Sequence, residues 1–220
     1  MSKRIWIFEN PYPLTQSIKS VRSLILWNDK IWFGTNNEGL KFYDLKDNSL
    51  RDVPLEKDDN KSIVYSLAPA DGKLYIGAYD GLSCYDPIKN RRKSISFSTP
   101  FHNPLVNSLL WDKQSESLWI GTEGHLFQYF YNTSNMQLSS SIPSNSFKTL
   151  IQDSSNNLVL GTDNGLYTYD IEHKNVNHIF HDSRNNQSLC NNVIWCSFSD
   201  KHNNICMNWS VELFIINDIP

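Results

Sequence analysis

Leu118-Trp119-Ile120-Gly121-Thr122, leading on to Leu126 and Tyr129, is a stretch that this chain writes again and again. Ile31-Trp32-Phe33-Gly34-Thr35 leads to Gly39-Leu40 and Tyr43-Asp44, and Leu74-Tyr75-Ile76-Gly77 leads to Gly81-Leu82 and Tyr85-Asp86. Leu158-Val159-Leu160-Gly161-Thr162 leads to Gly165-Leu166 and Tyr169-Asp170. A fifth copy, Ile205-Cys206-Met207-Asn208 leading to Leu213 and Asn217, keeps the spacing and has lost both glycines. From Gly34 through Gly77, Gly121 and Gly161 to Asn208 the steps are 43, 44, 40 and 47 residues. A period of that size marks a propeller or solenoid array.

Within each copy four short strands can be parsed. An apolar segment precedes the glycine motif: Val21 to Trp27, Ile63 to Ala68, Val106 to Trp111, Phe147 to Ile151 and Val193 to Phe198. It is assigned to an inner strand A. The Leu-Trp-Ile-Gly run, apolar on consecutive positions, suits a strand B covered on both faces. Gly39, Gly81 and Gly165 mark the B–C turn, where a positive φ suits glycine. Asp44, Asp86 and Asp170 then open the C–D turn through side-chain bonding, and Asn48, Asn90 and Asn175 are expected to close it in the left-handed region. Strand D follows, for example at Ser94 to Phe97 and Asn177 to Phe180. Such blades bury their faces only by stacking around an axis. The expected fold is therefore all-β, a β-propeller of about five four-stranded antiparallel blades with essentially no helix.

The whole of 1–220 is read as a single propeller domain, with repeats at about 21–60, 61–103, 104–145, 146–182 and 183–218. Residues 4–9, around Ile5 to Phe8, sit where an outer strand D would precede the first strand A, and the fifth copy stops after strand C. Either this N-terminal strand closes the ring, or the chain is an open part of a seven-bladed propeller.

The period does not separate the propeller families, but the residues do. There is no Gly-His…Trp-Asp pair and no kelch double glycine. The Leu-Trp-Ile-Gly-Thr…Gly-Leu…Tyr-Asp core resembles the two-component regulator propeller repeat, as does the approach to the last strand A, Asn185-Asn186-Gln187-Ser188-Leu189-Cys190-Asn191-Asn192-Val193. The resemblance implies the sensor region of hybrid two-component histidine kinases of Bacteroidetes, usually seven-bladed, periplasmic, and responsive to glycan-derived oligosaccharides. A homodimer in the parent sensor is also implied. No kinase, DNA-binding segment or membrane helix appears, so the chain reads as a truncated or excised sensor fragment, with a free-standing binding propeller as the alternative.

The totals agree with a soluble binding module. Net charge is −3, which gives no reason to expect nucleic acid as a partner. The longest apolar runs fall far short of the ~20 residues of a membrane span, and the N-terminus lacks a signal-peptide h-region. His173, His178 and His181 cluster in sequence but lack a completing Cys or carboxylate, so no metal and no cofactor is expected. His125 stands where the other copies have glycine, which predicts an altered turn. Cys84, Cys190, Cys196 and Cys206 show no Cys-x-x-Cys spacing; Cys196 and Cys206 face each other across one hairpin or stay as thiols.

No nucleophile elbow, zinc-protease motif or paired-carboxylate motif occurs, so no catalytic residue is assigned and the chain itself is not expected to be an enzyme. Ligand contacts are placed instead on the B–C and D–A loops, which share one end of a propeller. The ligand-binding candidates are Glu38, Tyr79, Asp80, Glu123, Asp163, Asn164, Trp209 and Glu212, with Asn37, Phe101, His102, Asn103, Asn191 and Asn192 beside them. Aromatic faces next to amides and carboxylates suit a sugar. A protein-interaction scaffold and, third, a propeller lyase or hydrolase are the competing readings.

Overall fold

A computed structural model of the chain describes residues 18, 20–53, 63–97, 100–139, 141–143, 145–199, 205–208 and 213–216, with backbone alone for 208 and 213–216. The first sheet is β1 (Val21–Trp27), β2 (Lys30–Thr35), β3 (Leu40–Asp44) and β4 (Ser49–Asp52). The second is β5 (Val64–Ala70), β6 (Lys73–Ala78), β7 (Gly81–Asp86) and β8 (Arg91–Ile95). The third is β9 (Val106–Asp112), β10 (Ser117–Thr122), β11 (Leu126–Phe130) and β12 (Asn135–Leu138). The fourth is β13 (Phe147–Gln152), β14 (Leu158–Thr162), β15 (Gly165–Tyr169) and β16 (Val176–Ile179). A three-stranded sheet follows: β17 (Cys196–Ser199), β18 (Ile205–Asn208) and β19 (Leu213–Ile216).

Every sheet is an antiparallel meander in chain order, and no helix occurs among the described residues. This is a β-propeller. The proposed outer strand at residues 4–9 lies outside the described residues. Strand D begins earlier than expected: β8 starts at Arg91 and ends before Phe97, and β16 starts at Val176 and ends at Ile179. The last inner strand is also shorter than its apolar run, starting at Cys196.

Hydrophobic clusters lie between successive blades. Trp32, Leu40 and Phe42 of the first pack with Leu74, Ile76 and Tyr85 of the second. Tyr75 and Leu82 meet Leu118, Ile120 and Tyr129. Trp119 and Leu126 meet Leu158, Leu160 and Tyr169, and Val159 and Leu166 meet Ile194, Ile205 and Met207. Each fully buried aliphatic side chain of this kind contributes about 1.5–3 kcal/mol, so the blades are held by their neighbours.

The motif glycine has a specific task in this packing. A Cβ on Gly77 would lie 2.6 Å from Cγ1 of Val106, and one on Gly121 would lie 2.8 Å from Cβ of Phe147. Gly34 stands in the same relation to Val64 and Gly161 to Ile194. Each glycine therefore receives the first inner-strand residue of the next blade.

The C–D turns are closed as the sequence reading describes, with one shift. Asp44 Oδ1 accepts the Lys46 amide, Asp86 Oδ1 those of Ile88 and Lys89, and Asp170 Oδ1 those of Glu172 and His173. The motif tyrosine joins the same turn, since Tyr43 Oη donates to Asn48 Oδ1 at 3.1 Å and Tyr85 Oη to Asn90 Oδ1 at 2.7 Å. Asn48 and Asn90 have positive φ, but in the fourth blade Lys174 does (φ 58°), and Asn175 does not. The left-handed position is the fourth after the aspartate, which is Lys174. At the altered B–C turn, Gly124 takes the positive φ (109°) that its homologues place one residue later, leaving His125 to pack edge-on to Phe101 and Phe127.

The cysteine pairing is excluded by register. Cys196 lies opposite Asn208 and Cys206 opposite Phe198, a diagonal of about 7–8 Å that a disulfide does not span. All four cysteines are free.

Candidate functional site: the axial mouth

All four complete blades carry the same irregularity at the start of the inner strand. Val21 pairs with Thr35 and Ser23 with Gly34, so Arg22 is an extra residue with no partner. Tyr65 is skipped in the same way between Val64 and Ser66, Asn107 between Val106 and Ser108, and Lys148 between Phe147 and Thr149. Such β-bulges turn a side chain out of the alternation of its strand. Trp195 holds the matching position in the fifth blade, between Ile194, which covers Gly161, and Cys196, which starts β17.

The two flanking positions explain why the bulge is tolerated. From the second blade on, the residue before it is the buried lid over the preceding blade's glycine, and in all four the one after it is a small hydroxyl residue over its own glycine: Ser23, Ser66, Ser108 and Thr149. Ser108 Oγ donates to the Phe147 carbonyl at 2.9 Å, tying the third blade to the fourth, and Thr149 and Ser197 hydroxyls pair at 2.7 Å. With both neighbours fixed in the core, the bulged residue projects at the end of the blade where the D–A and B–C loops meet.

There the five bulge-position side chains line one cavity of about 600 Å³, together with Ser20, Val21, Leu105 and Glu123. Small-molecule sites are typically about 300–1,000 Å³. Around it the cations lie over aromatic faces: Arg22 sits 5.1 Å from the centroid of Tyr65, and Lys148 Nζ 4.6 Å from that of Trp195. Trp195 is nevertheless 61 % exposed, so one face of a large aromatic is open at the mouth. Asn107 Nδ2 donates to Glu123 Oε1 at 3.0 Å, and Arg22 Nε donates to Asn36 Oδ1 at 3.2 Å. Burial works to raise the Glu123 carboxyl, but the hydrogen bonds from Asn107 and Ser146 and the charge of Lys148 outweigh it and hold the group below its ordinary value. At neutral pH the mouth thus presents a carboxylate, two cations, an amide and two aromatic rings.

Of the residues expected from sequence to bind ligand, Glu123 lines this cavity. The other described ones occupy the surrounding loops. Tyr79 and Asp80 form the exposed β6–β7 turn, with Tyr79 63 % exposed. Glu38 is half-buried and its amide donates to Thr35 Oγ1; Asn37 beside it is exposed with a positive φ. Asp163 Oδ1 accepts the Ser146 amide at 3.4 Å, tying the β14–β15 turn to the start of the same blade, and the Asn164 carbonyl is bonded to His178 Nε2 at 2.6 Å. Phe101 packs on His125 and Phe127, and His102 and Asn103 are exposed next to it. Asn191 Oδ1 accepts the Val193 amide, and Asn192 Oδ1 accepts that of His181, so both are occupied in shaping the D–A loop. Trp209 and Glu212 lie outside the described residues. Arg22, Tyr65, Asn107, Lys148 and Trp195 were not singled out from sequence.

The comparisons with known proteins point to the same architecture. No protein-family model matches the chain, and no curated protein does. Among solved structures, the extracellular domain assigned to the hybrid two-component system BT4673 of B. thetaiotaomicron is 39 % identical over 89 % of the chain, with a TM-score of 0.79. The repeats match those of the extracellular domains of two-component systems, the group that the Leu-Trp-Ile-Gly-Thr motif resembles. A second such domain, from the hybrid two-component system BT3049 of the same organism, is 25 % identical over 91 % of the chain, with a TM-score of 0.73. The chain spans only 27 % of the length of either domain. The WD40 propeller of Doa1, 13 % identical over 89 % of the chain and 62 % of its own length (TM-score 0.68), shares the fold alone. So does virginiamycin B lyase from Staphylococcus aureus, 11 % identical over 86 % of the chain and 62 % of its own length (TM-score 0.67).

Proposed function

We propose that this chain is the ligand-sensing part of a two-component regulator, acting outside the cytoplasm in the periplasm, and that its axial mouth binds a glycan-derived oligosaccharide. The observation that carries the reading is the ring of bulge residues: five blades with a near-constant scaffold each send a different side chain, Arg22, Tyr65, Asn107, Lys148 and Trp195, into one cavity. A sugar offers C–H patches for Trp195 and hydroxyls for Asn107, Glu123 and the two cations. Glu38, Tyr79, Asp80, Asp163 and Asn164 form the surrounding loops and would contact the outer residues of a longer ligand. The chain carries no catalytic step in this reading.

The test is calorimetry of the 220-residue chain against a panel of plant and host glycan oligosaccharides. At least one is expected to bind with a defined stoichiometry of one. If none binds to correctly folded protein, the sensing reading fails.

A protein-interaction scaffold is the second reading, favoured by one observation. Val21, Leu24 and Leu26 on β1 are 45 %, 63 % and 65 % exposed, while Val64, Val106 and Phe147 at the position of Val21 are fully buried. That flank is an apolar face of the kind the other blades cover with a neighbour. Under this reading, the chain would capture a protein or a further blade on β1, and alanine at Leu24 and Leu26 would abolish that capture without affecting any sugar.

A further inference from the structure

We propose that the groove between the second and third blades, at the end that carries their C–D turns, is a separate binding site for an acidic oligosaccharide, one carrying several carboxylate or sulfate groups. Lys73 of β6, Lys89 of the C–D turn, and Arg91 and Lys93 of β8 line one cavity of about 530 Å³. Three different elements thus bring four cations to a single concave surface of a chain whose net charge is −3.

Asp86 is the one acidic residue lining it, and its carboxylate is already engaged. Oδ1 accepts the amides of Ile88 and Lys89, and Oδ2 lies 3.8 Å from Lys89 Nζ. Lys73 and Lys93 form no ion pair among the described residues. A concave surface with excess charge of one sign concentrates counter-charged ligands.

Edge protection alone does not account for the cations. Outer strands are commonly charged to prevent edge-to-edge pairing, yet β4 reads Ser-Leu-Arg-Asp, β12 Asn-Met-Gln-Leu and β16 Val-Asn-His-Ile. Only β8 opens with three cations, Arg91-Arg92-Lys93. The alternation of the strand separates them: Arg91 and Lys93 face the groove, while Arg92 Nε donates to Ser83 Oγ at 2.7 Å.

The rest of the lining decides between acidic ligands. Ser94, Ser96 and Ser134 supply hydroxyls suited to the hydroxyls of a saccharide. Tyr75 and Tyr129 are 2 % and 8 % exposed within the interblade core, and Tyr131, the third ring of the lining, is half-buried and packs on Trp111 with ring centroids 5.5 Å apart, so the groove offers no open platform for stacked bases. Single-stranded nucleic acids rely on such platforms. The site is independent of the axial mouth and takes none of its residues.

The experiment measures binding of the 220-residue chain to a heparin-derived hexasaccharide, an oligogalacturonate and its carboxyl-reduced neutral counterpart, with a single-stranded DNA of matched charge and inorganic sulfate alongside. The hexasaccharide or the oligogalacturonate is expected to bind, to weaken steeply as salt is raised, and to bind at least tenfold more weakly to Lys73→Gln/Lys93→Gln; both positions are at the surface, and a retained melting temperature confirms folding. The neutral counterpart should show no loss from these substitutions. Binding of neither acidic saccharide, an unchanged affinity in the double variant, equal affinity for the DNA, or a response to sulfate alone would each overturn the proposal. Loss in Lys73→Gln/Lys93→Gln but not in Trp195→Ala locates the effect in the groove, so failure here and failure of the mouth are read separately.

Discussion

Phe147→Ala is expected to lower stability by about 3–5 kcal/mol, the range for emptying a buried aromatic site. Phe147 is the first residue of β13 and fully buried in the cluster that joins Trp119 and Leu126 of the third blade to Leu150, Leu158 and Leu160 of the fourth; its Cβ covers Gly121 and its carbonyl accepts the Ser108 hydroxyl. The alanine keeps the Cβ and the carbonyl and removes the ring, so the loss measures the packing of the cluster shared by the third and fourth blades. Urea denaturation should show a lower midpoint with an unchanged slope, the sign of lost stability without a changed unfolded state. For a chain of this size, with about 2–4 °C per kcal/mol, the melting temperature should fall by about 6–20 °C. A loss under about 1 kcal/mol would show that the third and fourth blades are not held together at this point.

Gly121→Ala is expected to destabilise by about 1–3 kcal/mol, as overpacking does, and its sign is the informative part. Gly121 does not have a positive φ, and at such a position alanine in open space would stabilise by about 0.4–1 kcal/mol through the unfolded chain. Here the added Cβ would stand 2.3 Å from Ser108 Oγ, 2.8 Å from Phe147 Cβ and 2.9 Å from the Phe147 carbonyl oxygen. The serine can rotate away, but the main chain of β13 can move only by shifting the blade. A stabilised Gly121→Ala in thermal unfolding would contradict the glycine's role as the seat of the next blade.

These two residues also show what the sequence displayed and what it hid. The glycine recurs because the same close approach recurs, and that constancy made the blades legible from a single chain, together with the Tyr-Asp turn that Asn48 and Asn90 close. Boundaries were less legible where packing rather than pattern decides them: Phe97 belongs to the interblade core beyond the end of β8, and Cys196 begins a strand that the apolar run starts three residues earlier.

The mouth was hidden for the opposite reason. Its residues share a position and no chemistry: Arg22, Tyr65, Asn107, Lys148 and Trp195 sit in segments assigned wholesale to scaffold. The signal that finds them is the frame Val-x-Ser at 21–23 and 64–66, Val-x-Ser at 106–108, Phe-x-Thr at 147–149 and Ile-x-Cys at 194–196. From the second blade on, its first position is held against the preceding blade's glycine; its third position, where it is serine or threonine, lies over its own blade's glycine, and its middle position varies from blade to blade. The described loop residues favoured from sequence surround the same end of the blades as this ring. Two of them, Asp163 and Asn192, are spent on fixing the loops themselves, through the amides of Ser146 and His181.

The central claim is that ligand contact is made by the bulge ring. The direct measurement is calorimetric affinity for the tightest-binding oligosaccharide, compared among the unaltered chain, Trp195→Ala and Tyr79→Ala. Removing the open Trp195 face should cost about 1–3 kcal/mol, a ten- to hundredfold loss of affinity, with Tyr79→Ala changing it less than about threefold. Full affinity in Trp195→Ala with loss in Tyr79→Ala would place binding on the loop tips and contradict the account.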